Sequence, residues 1–462
     1  MGEGIRLVVV AQDIIAAMRA AAPAGRSRPD DSAIDELRSL TADLIAARPA
    51  ALAEAERFQA TSLRSVPLHC TEIEDWLSGR SILVTGGTGC IGSALLPLLE
   101  KAVPRRLVSV SRGRAHDWPR LSQAEYLHAD IADAGELAEV FASVRPDVVF
   151  HLAAQRDPGQ AEHVVAETVR SNVLGTRNVA DLAARYGVPD VICATSGKAL
   201  RPYSQAVYTA TKRLAEWLLA RAAAGREGRF SAVRFTHVVD NSIVQRRLRD
   251  WAAAPDGVLR LHDPDTMFYA QSALESAQLM IYAGLHARPS TVRTYAVSDL
   301  GWPVSLLDLA LGTLQQAGST CPVYFSGHDP GYEAAPFPGL YDPATAGGVS
   351  PLFNGFEALA AEQDADCGVD SCGAVLQPAR AGDEHLGRLV QACADGDVTG
   401  IRLALDELSW QVFNATLAAV PKPALARAVR QAESHPGELT SEHVRMLDAM
   451  RQHAGLATFA SV

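Results

Sequence analysis

Apolar positions change period along the chain. Up to about residue 75 they recur every three to four positions, as in AIDELRSLTADLIAARPAALAEAERF, which is the spacing of amphipathic helix and not of strand. This Ala-rich stretch is expected to be a helical arm used for packing or self-association. At 77–80 the pattern breaks, and SILVTGGTGCIGSALLPLLE follows: a short apolar run, a glycine cluster, then helical periodicity. It reads as strand, turn and helix. Further apolar runs bounded by turn signals lie at 106–110, 147–154, 190–196 and 230–235, with helical segments between them. Strands alternating with helices imply right-handed crossovers, so the fold class is α/β with a doubly wound, mostly parallel sheet.

After Phe235 the alternation becomes irregular. ALESAQLMIYAGL and SLLDLALGTLQQAG are helical and suit a smaller lobe, whereas 327–383, rich in Gly, Pro, Asp and Ala, reads as a long loop region. From Glu384 onward amphipathic helix returns and closes the chain.

Composition narrows the function classes. The 462 residues allow two or three domains at roughly 150 each, and 48% hydrophobic residues supply real cores. With 53 acidic against 42 basic side chains the formal charge is −11, which gives no global attraction to nucleic acid or anionic membranes. The early apolar run Leu7–Val10 is too short to span a bilayer and no secretory cleavage pattern follows it, so a cytoplasmic location is expected. Seven scattered cysteines read as free thiols; Cys367 and Cys372 lack a second pair at zinc spacing, so no metal is expected and they are assigned to a solvated loop.

The spacing Gly86-x-x-Gly89-x-x-Gly92, closing a strand and opening a helix, is a dinucleotide fingerprint in its required context. The glycines allow a tight turn, close approach of a pyrophosphate and packing of helix on strand, while the helix N-terminus offers N–H groups. Thr88, Cys90 and Ile91, within the same turn, join them as cofactor-binding candidates, as do Ala153 and Ala154 after the strand near 150. The second strand ends in Ser111-Arg112, with Arg114 nearby and no carboxylate until Asp117. A hydroxyl followed by guanidinium suits a 2′-phosphate, so NADP is the expected cofactor, with NAD left open. Asp130 and Ile131 fall where an adenine-contacting pair would lie. The fold is therefore Rossmann-type.

Tyr208 and Lys212 in YTATK stand one helical turn apart on one face. A neighbouring ammonium favours the phenolate and brings Tyr208 toward general-base range. Ser196, at a strand end, can share a substrate oxygen with Tyr208, and together they suit chemistry coupled to hydride transfer. His151 is read as a structural histidine and Asn172 as a tie between backbone segments near the cofactor strands. His237 and Glu275 are open to either acid/base or plain hydrogen-bonding roles. The expected division is a helical extension over 1–76, a dinucleotide-binding domain over 77–235, a substrate lobe over 236–340 and a loop-rich, helical extension over 341–462.

From Arg80 to Gly331 the chain resembles the extended short-chain dehydrogenase/reductases, and within them the CapD-like polysaccharide-biosynthesis nucleotide-sugar dehydratases and epimerases. ILVTGGTGCIG, PDVVFHLAA, SNVLGTRNVADLA, TSGKALRP followed by YTATKRLAEWL, AVRFTHVV and LGWPVSLLDLA carry the likeness. The resemblance implies transient oxidation of a sugar hydroxyl, with Ser196, Tyr208 and Lys212 at catalytic positions and Lys198 as a further base. It also implies departures. Where the family reads Thr-Asp-Lys, this chain has Ser196-Gly197-Lys198, without the aspartate that protonates a departing hydroxyl. Arg-Phe-Gly-Asn becomes Arg234-Phe235-Thr236-His237, a diphosphate-gripping arginine aligns with Phe268, and Arg-Pro-Gly-Glu becomes Asp329-Pro330-Gly331-Tyr332.

Arg156, His237, Phe268 and Asp329 are thus the substrate-binding candidates. The first functional expectation is a nucleotide-sugar epimerase, favoured over a 4,6-dehydratase because of Gly197. The second is an NADP-dependent oxidoreductase or epimerase acting on a sugar- or polyol-bearing metabolite without a diphosphate. The third is a non-enzymatic dinucleotide-binding sensor, which the complete Ser196, Tyr208 and Lys212 set argues against. A small-molecule substrate and a homo-oligomer, most simply a dimer, are the expected partners.

Overall fold

The computed structural model describes residues 2–113, 120–240, 243–254, 256–332, 337, 338, 340, 348–373, 382–435 and 437–456. Contacts divide the chain into two units. The smaller comprises Met1–Arg64, Thr236–Ala273 and Leu300–Asp329, and the larger Ser65–Phe235, Leu274–Asp299 and Pro330–Val462.

In the smaller unit, α1 (Gly2–Ala21), α2 (Asp31–Ala47) and α3 (Ala51–Ala60) follow one another. Asp30 caps α2 by accepting a hydrogen bond from the Ala33 N–H, and Ile34, Leu37, Thr41 and Leu44 form its buried stripe. Helix α3 lies tightly against the helix Leu306–Ala317, where a Cβ on Gly312 would come within 2.3 Å of the Ala51 carbonyl oxygen. Arg48 grips Asp308 through two hydrogen bonds of 2.5 and 2.8 Å. The apolar faces of α1–α3 share a core with Leu259, Phe268, Leu307 and Tyr324. The sequence set residues 1–76 apart as an extension; up to Arg64 they are instead part of the lobe's own core. Helical periodicity announces a stripe to be covered and says nothing of what covers it.

The larger unit holds a nine-stranded sheet. Its strands are β1 (Ser81–Thr85), β2 (Arg106–Ser111), β3 (Glu125–His128), β4 (Val148–His151), β5 (Asp190–Ala194), β6 (Arg229–Val233), β7 (Val292–Val297), β8 (Ala361–Asp364) and β9 (Val369–Gly373). They run in the order β8-β9-β7-β6-β5-β4-β1-β2-β3. Strands β1 to β7 are parallel, and β9 pairs antiparallel with both β7 and β8. Every residue of β1 (SILVT) and β4 (VVFH) is buried, which fits strands covered on both faces. The order reverses between β1 and β4, opening the crevice in which such sheets bind ligands.

Three features escaped the periodicity. Strand β3 is a mostly polar edge (EYLH), and β7 (VRTYAV) hides Arg293 and Thr294 inside a fully buried run. Arg293 tolerates burial because it donates to Glu362 at 3.0 Å and to the Ser371 hydroxyl at 2.8 Å. Those acceptors belong to β8 and β9, a hairpin within the stretch read as loop. Cys367 lies in its turn and Cys372 is buried in β9, which corrects their placement in a solvated loop.

Helix α4 (Cys90–Lys101) follows the glycine turn, and α5 (Val207–Ala223) is buried along almost its whole length. The C-terminal helices α6 (Gly382–Asp395), α7 (Val398–Ala419), α8 (Lys422–Glu433) and α9 (Ser441–Ala454) complete the unit. Leu389, Ile401 and Leu408 of α6 and α7 pack in one core with Leu214 and Trp217 of α5. All seven cysteines are free thiols. Among the described residues no helix is long and apolar enough to cross a membrane, and no cluster of three or more His, Cys, Asp or Glu is arranged to hold a metal.

Candidate functional site

The glycine turn sits at the C-terminal end of β1, beside that of β4. Gly86 adopts φ +74°, and a Cβ there would lie 2.7 Å from the Ala153 nitrogen; a Cβ on Gly92 would lie 2.4 Å from the Gly86 oxygen. Helix α4 starts from Gly89 with no side-chain cap, leaving its N-terminal end open to an anion. Thr88, Cys90 and Ile91 are half-buried along this turn, as are Ala153 and Ala154 across the crevice. A cradle that side chains would fill, ending on an uncapped helix, fits the pyrophosphate of a dinucleotide.

Residues of β2 and β3 reach the same edge. Ser111 is half-buried, and Arg112 lies 3.2 Å from a Glu167 oxygen and 4.0 Å from Asp130. Arg112, Asp130 and Glu167 border a cleft of about 230 Å³ lined also by Ala132, Arg170 and Ser171. Ile131 is buried, and the missing Cβ of Gly175 makes room for it. Arg114 and Asp117 lie outside the described residues.

Ser196, two residues beyond β5, accepts a hydrogen bond from the Lys198 N–H at 3.2 Å, and its hydroxyl lies near enough to Tyr208 to favour the phenolate. Tyr208 stands in the first turn of α5, and the Lys212 ammonium is 5.8 Å from the centre of its ring. The three side chains are thus brought together. Lys212 was expected to draw Tyr208 toward the phenolate, and the outcome differs. Burial pushes Tyr208 up, opposed chiefly by the Ser196 hydrogen bond, while burial also pushes Lys212 down despite Cys193 and Glu216 nearby. Both groups are driven toward neutrality. Lys198 is lowered to about 7 by burial and then by the like charge of Arg201.

His151 is the structural residue expected. Its Nδ1 meets the Thr85 hydroxyl at 2.7 Å and its Nε2 the Thr176 hydroxyl at 3.0 Å, while burial and then Lys212 lower its pKa to about 3. Asn172 ties backbone, accepting from the Gln155 N–H at 2.7 Å and donating to the Gln155 carbonyl and the Thr211 hydroxyl. It sits in a π-helical turn, Arg170–Leu174, a distortion often found at functional sites. The tie holds the backbone next to the exposed Arg156, whose charge and that of Asp157 act on Tyr208. Tyr332, which crowds Gly159, also acts on Tyr208 and escaped the sequence reading.

Other substrate candidates fall in the smaller unit. Phe268 is buried, edge-on to Phe58 and 4.6 Å from the His237 ring, which makes it a core residue. His237 is exposed, and Asp329 is matched by Arg260 at 3.4 Å and His262 at 3.3 Å. Glu275 is buried in the larger unit.

The most extensive cluster that sequence reasoning missed lies under the Ser196 turn. Arg234 donates to both Glu216 oxygens at 2.8 Å and to Glu357 at 2.7 and 2.8 Å, and Arg213 donates to Glu357 at 2.9 Å. Thr195 donates to Glu216 at 2.9 Å. Glu216 had a signal, since it continues the Tyr208, Lys212 spacing by one more turn of α5; Glu357 had none.

Strand order 3-2-1-4-5-6, a glycine turn at the switch point, and Ser, Tyr and Lys gathered beyond β5 define a Rossmann fold of the extended short-chain dehydrogenase/reductase class. The family model described as "Polysaccharide biosynthesis protein" matches residues 82–333, more than half of the chain, and the protein belongs to that family. It is 29% identical over 281 residues to the probable polysaccharide biosynthesis protein EpsC of Bacillus subtilis, covering 58% of this chain and 46% of the relative. It is 31% identical over 171 residues to a UDP-N-acetylglucosamine 4,6-dehydratase (inverting) of Campylobacter jejuni, covering 35% of this chain and 50% of the relative. The chain thus spans about half the length of these curated relatives. In fold it is similar to Pen from Bacillus thuringiensis, with a TM-score of 0.55 and 21% identity over 64% of this chain and 88% of that one.

Proposed function

We propose that the protein is a nicotinamide-dependent enzyme that modifies a nucleotide-sugar, with epimerisation favoured over 4,6-dehydration. The observation that carries this reading is the meeting of Ser196, Tyr208 and Lys212 beyond the sheet edge that bears the glycine cradle. A nicotinamide ring bound there supplies reversible hydride acceptance. Tyr208 moves the proton of the sugar hydroxyl, Ser196 shares that oxygen, and Lys212 lies behind the phenol. Lys198, partly neutral near pH 7, is a base for a carbon proton beside a ketone. Elimination also needs an acid for the departing hydroxyl, and position 197 offers none. NADP is proposed over NAD because Arg112 stands immediately after β2.

The curated relatives support the substrate class through the dehydratase named among them. A second reading, an NADP-dependent oxidoreductase or epimerase acting on a metabolite without a diphosphate, draws on the core position of Phe268, where the family resemblance expects an arginine. A thermal-shift panel of UDP-, dTDP- and GDP-sugars separates the two, since a ligand that binds only the native state raises Tm. Stabilisation by any of them, with NMR detection of a stereoisomer and no 4-keto-6-deoxy product, supports the first reading. A flat panel overturns it.

A further inference from the structure

The turn Gly197–Leu200, which carries Lys198 and follows Ser196, is held from outside the family-matched residues 82–333. Asn354 donates its amide to the Leu200 carbonyl at 2.6 Å and accepts from the Phe356 and Glu357 N–H groups. Glu357 receives Arg213 and Arg234, and both guanidiniums also donate to the Ala199 carbonyl, at 3.2 and 3.4 Å. Arg234 further holds the Leu352 carbonyl at 2.8 Å. All four charged side chains are buried, two of each sign, so the cluster is neutral and its geometry is set by mutual hydrogen bonds.

We infer that Glu357 and Asn354 are positioning residues, a clasp from the C-terminal segment that fixes the turn and with it Ser196 and Lys198. The inference rests on the assignment of those two residues to the site. Opening the clasp frees the Leu200 carbonyl that Asn354 holds or loosens the arginines on the Ala199 carbonyl, and lets more water reach the half-buried lysine beside them.

The test reads Lys198 directly. The pH dependence of its acylation by a small amine-reactive ester is followed by mass spectrometry in the full-length protein, for wild type, Glu357→Asp and Asn354→Ala. Both substitutions conserve charge, so a displaced midpoint reports position and hydration. The expected result is a midpoint about one pH unit higher in each variant, with Kd for NAD and NADP within about twofold of wild type and a cooperative melt. A clasp that is merely structural lowers Tm and leaves the midpoint in place. An unchanged midpoint in folded Asn354→Ala, or in folded Glu357→Asp, overturns the inference; Asn354→Ala decides alone if the buried carboxylate variant fails to fold. Labelling needs no substrate, so a failed nucleotide-sugar panel is a separate result.

Discussion

Leu352 fills the space that a side chain on Gly197 would need: a Cβ there would lie 2.8 Å from Leu352 Cδ2 and 3.3 Å from the Phe235 carbonyl oxygen. Restoring an aspartate at position 197 therefore does not by itself restore an acid. Gly197→Asp is expected to lose about 1–3 kcal/mol of stability through overpacking and to form no 4-keto-6-deoxy sugar. Gly197→Asp combined with Leu352→Ala relieves that overpacking, so the double variant should lose less stability than the two single losses added together. Urea unfolding and product NMR check both, and a dehydrated product from the single variant would show that Leu352 does not block the position.

Tyr208→Phe keeps the ring that packs in α5 and removes only the hydroxyl that meets Ser196. Turnover should fall by about 10²–10⁴-fold, with Kd for the dinucleotide nearly unchanged. Turnover within a factor of a few of wild type would remove Tyr208 from the reaction.

Arg112→Ala should weaken NADP binding by roughly tenfold or more, the worth of a charge-assisted hydrogen bond, and leave NAD binding within about twofold. Glu167→Gln, which frees Arg112 from its 3.2 Å partner, should tighten NADP binding. Fluorescence titration measures both, and tighter binding of NAD by the wild-type protein would refute the 2′-phosphate assignment.

Half-buried Lys198 and buried His151 give pH signatures of the same sign in different windows. Lys198 is lowered to about 7, so a rate that needs its neutral amine rises with pH and levels off above about 7; Lys198→Met abolishes that limb. The cost of burying its charge is complete below about 7 and fades as pH rises toward ~10.4, the ordinary lysine value. His151 is lowered to about 3, so its contribution to stability is full above ~6.5 and is lost as pH falls toward about 3. From pH 7 to pH 5 this amounts to about 2 kcal/mol, which urea denaturation should show in wild type and largely lose in His151→Gln.

Local chemistry was legible in the chain; remote closure was not. The run from β1 through Gly86 to α4 encodes its own geometry within twenty residues, and Tyr208 and Lys212 need only one helical turn. Asn172 could be read as a backbone tie because its role is fulfilled by the neighbouring cofactor loop. Leu352, Asn354 and Glu357 reach the site from more than 130 residues beyond Tyr208, inside a stretch whose Gly and Pro content hides both the clasp and the hairpin. The first 64 residues showed their helices and not their destination, since an amphipathic stripe has the same period against a partner chain as against its own lobe.

The β8–β9 hairpin has a further effect on how the protein behaves at high concentration. Strand β7 has six buried residues, and bare it would offer a flat, adhesive edge for pairing with another sheet. The hairpin pairs that edge and replaces it with Ala-Glu-Gln-Asp, in which Glu362 is engaged by Arg288 and Arg293. A strand with adjoining charges and little apolar surface is a poor template for intermolecular growth. The segment that reads as loop therefore protects the chain from aggregation along the open side of its sheet.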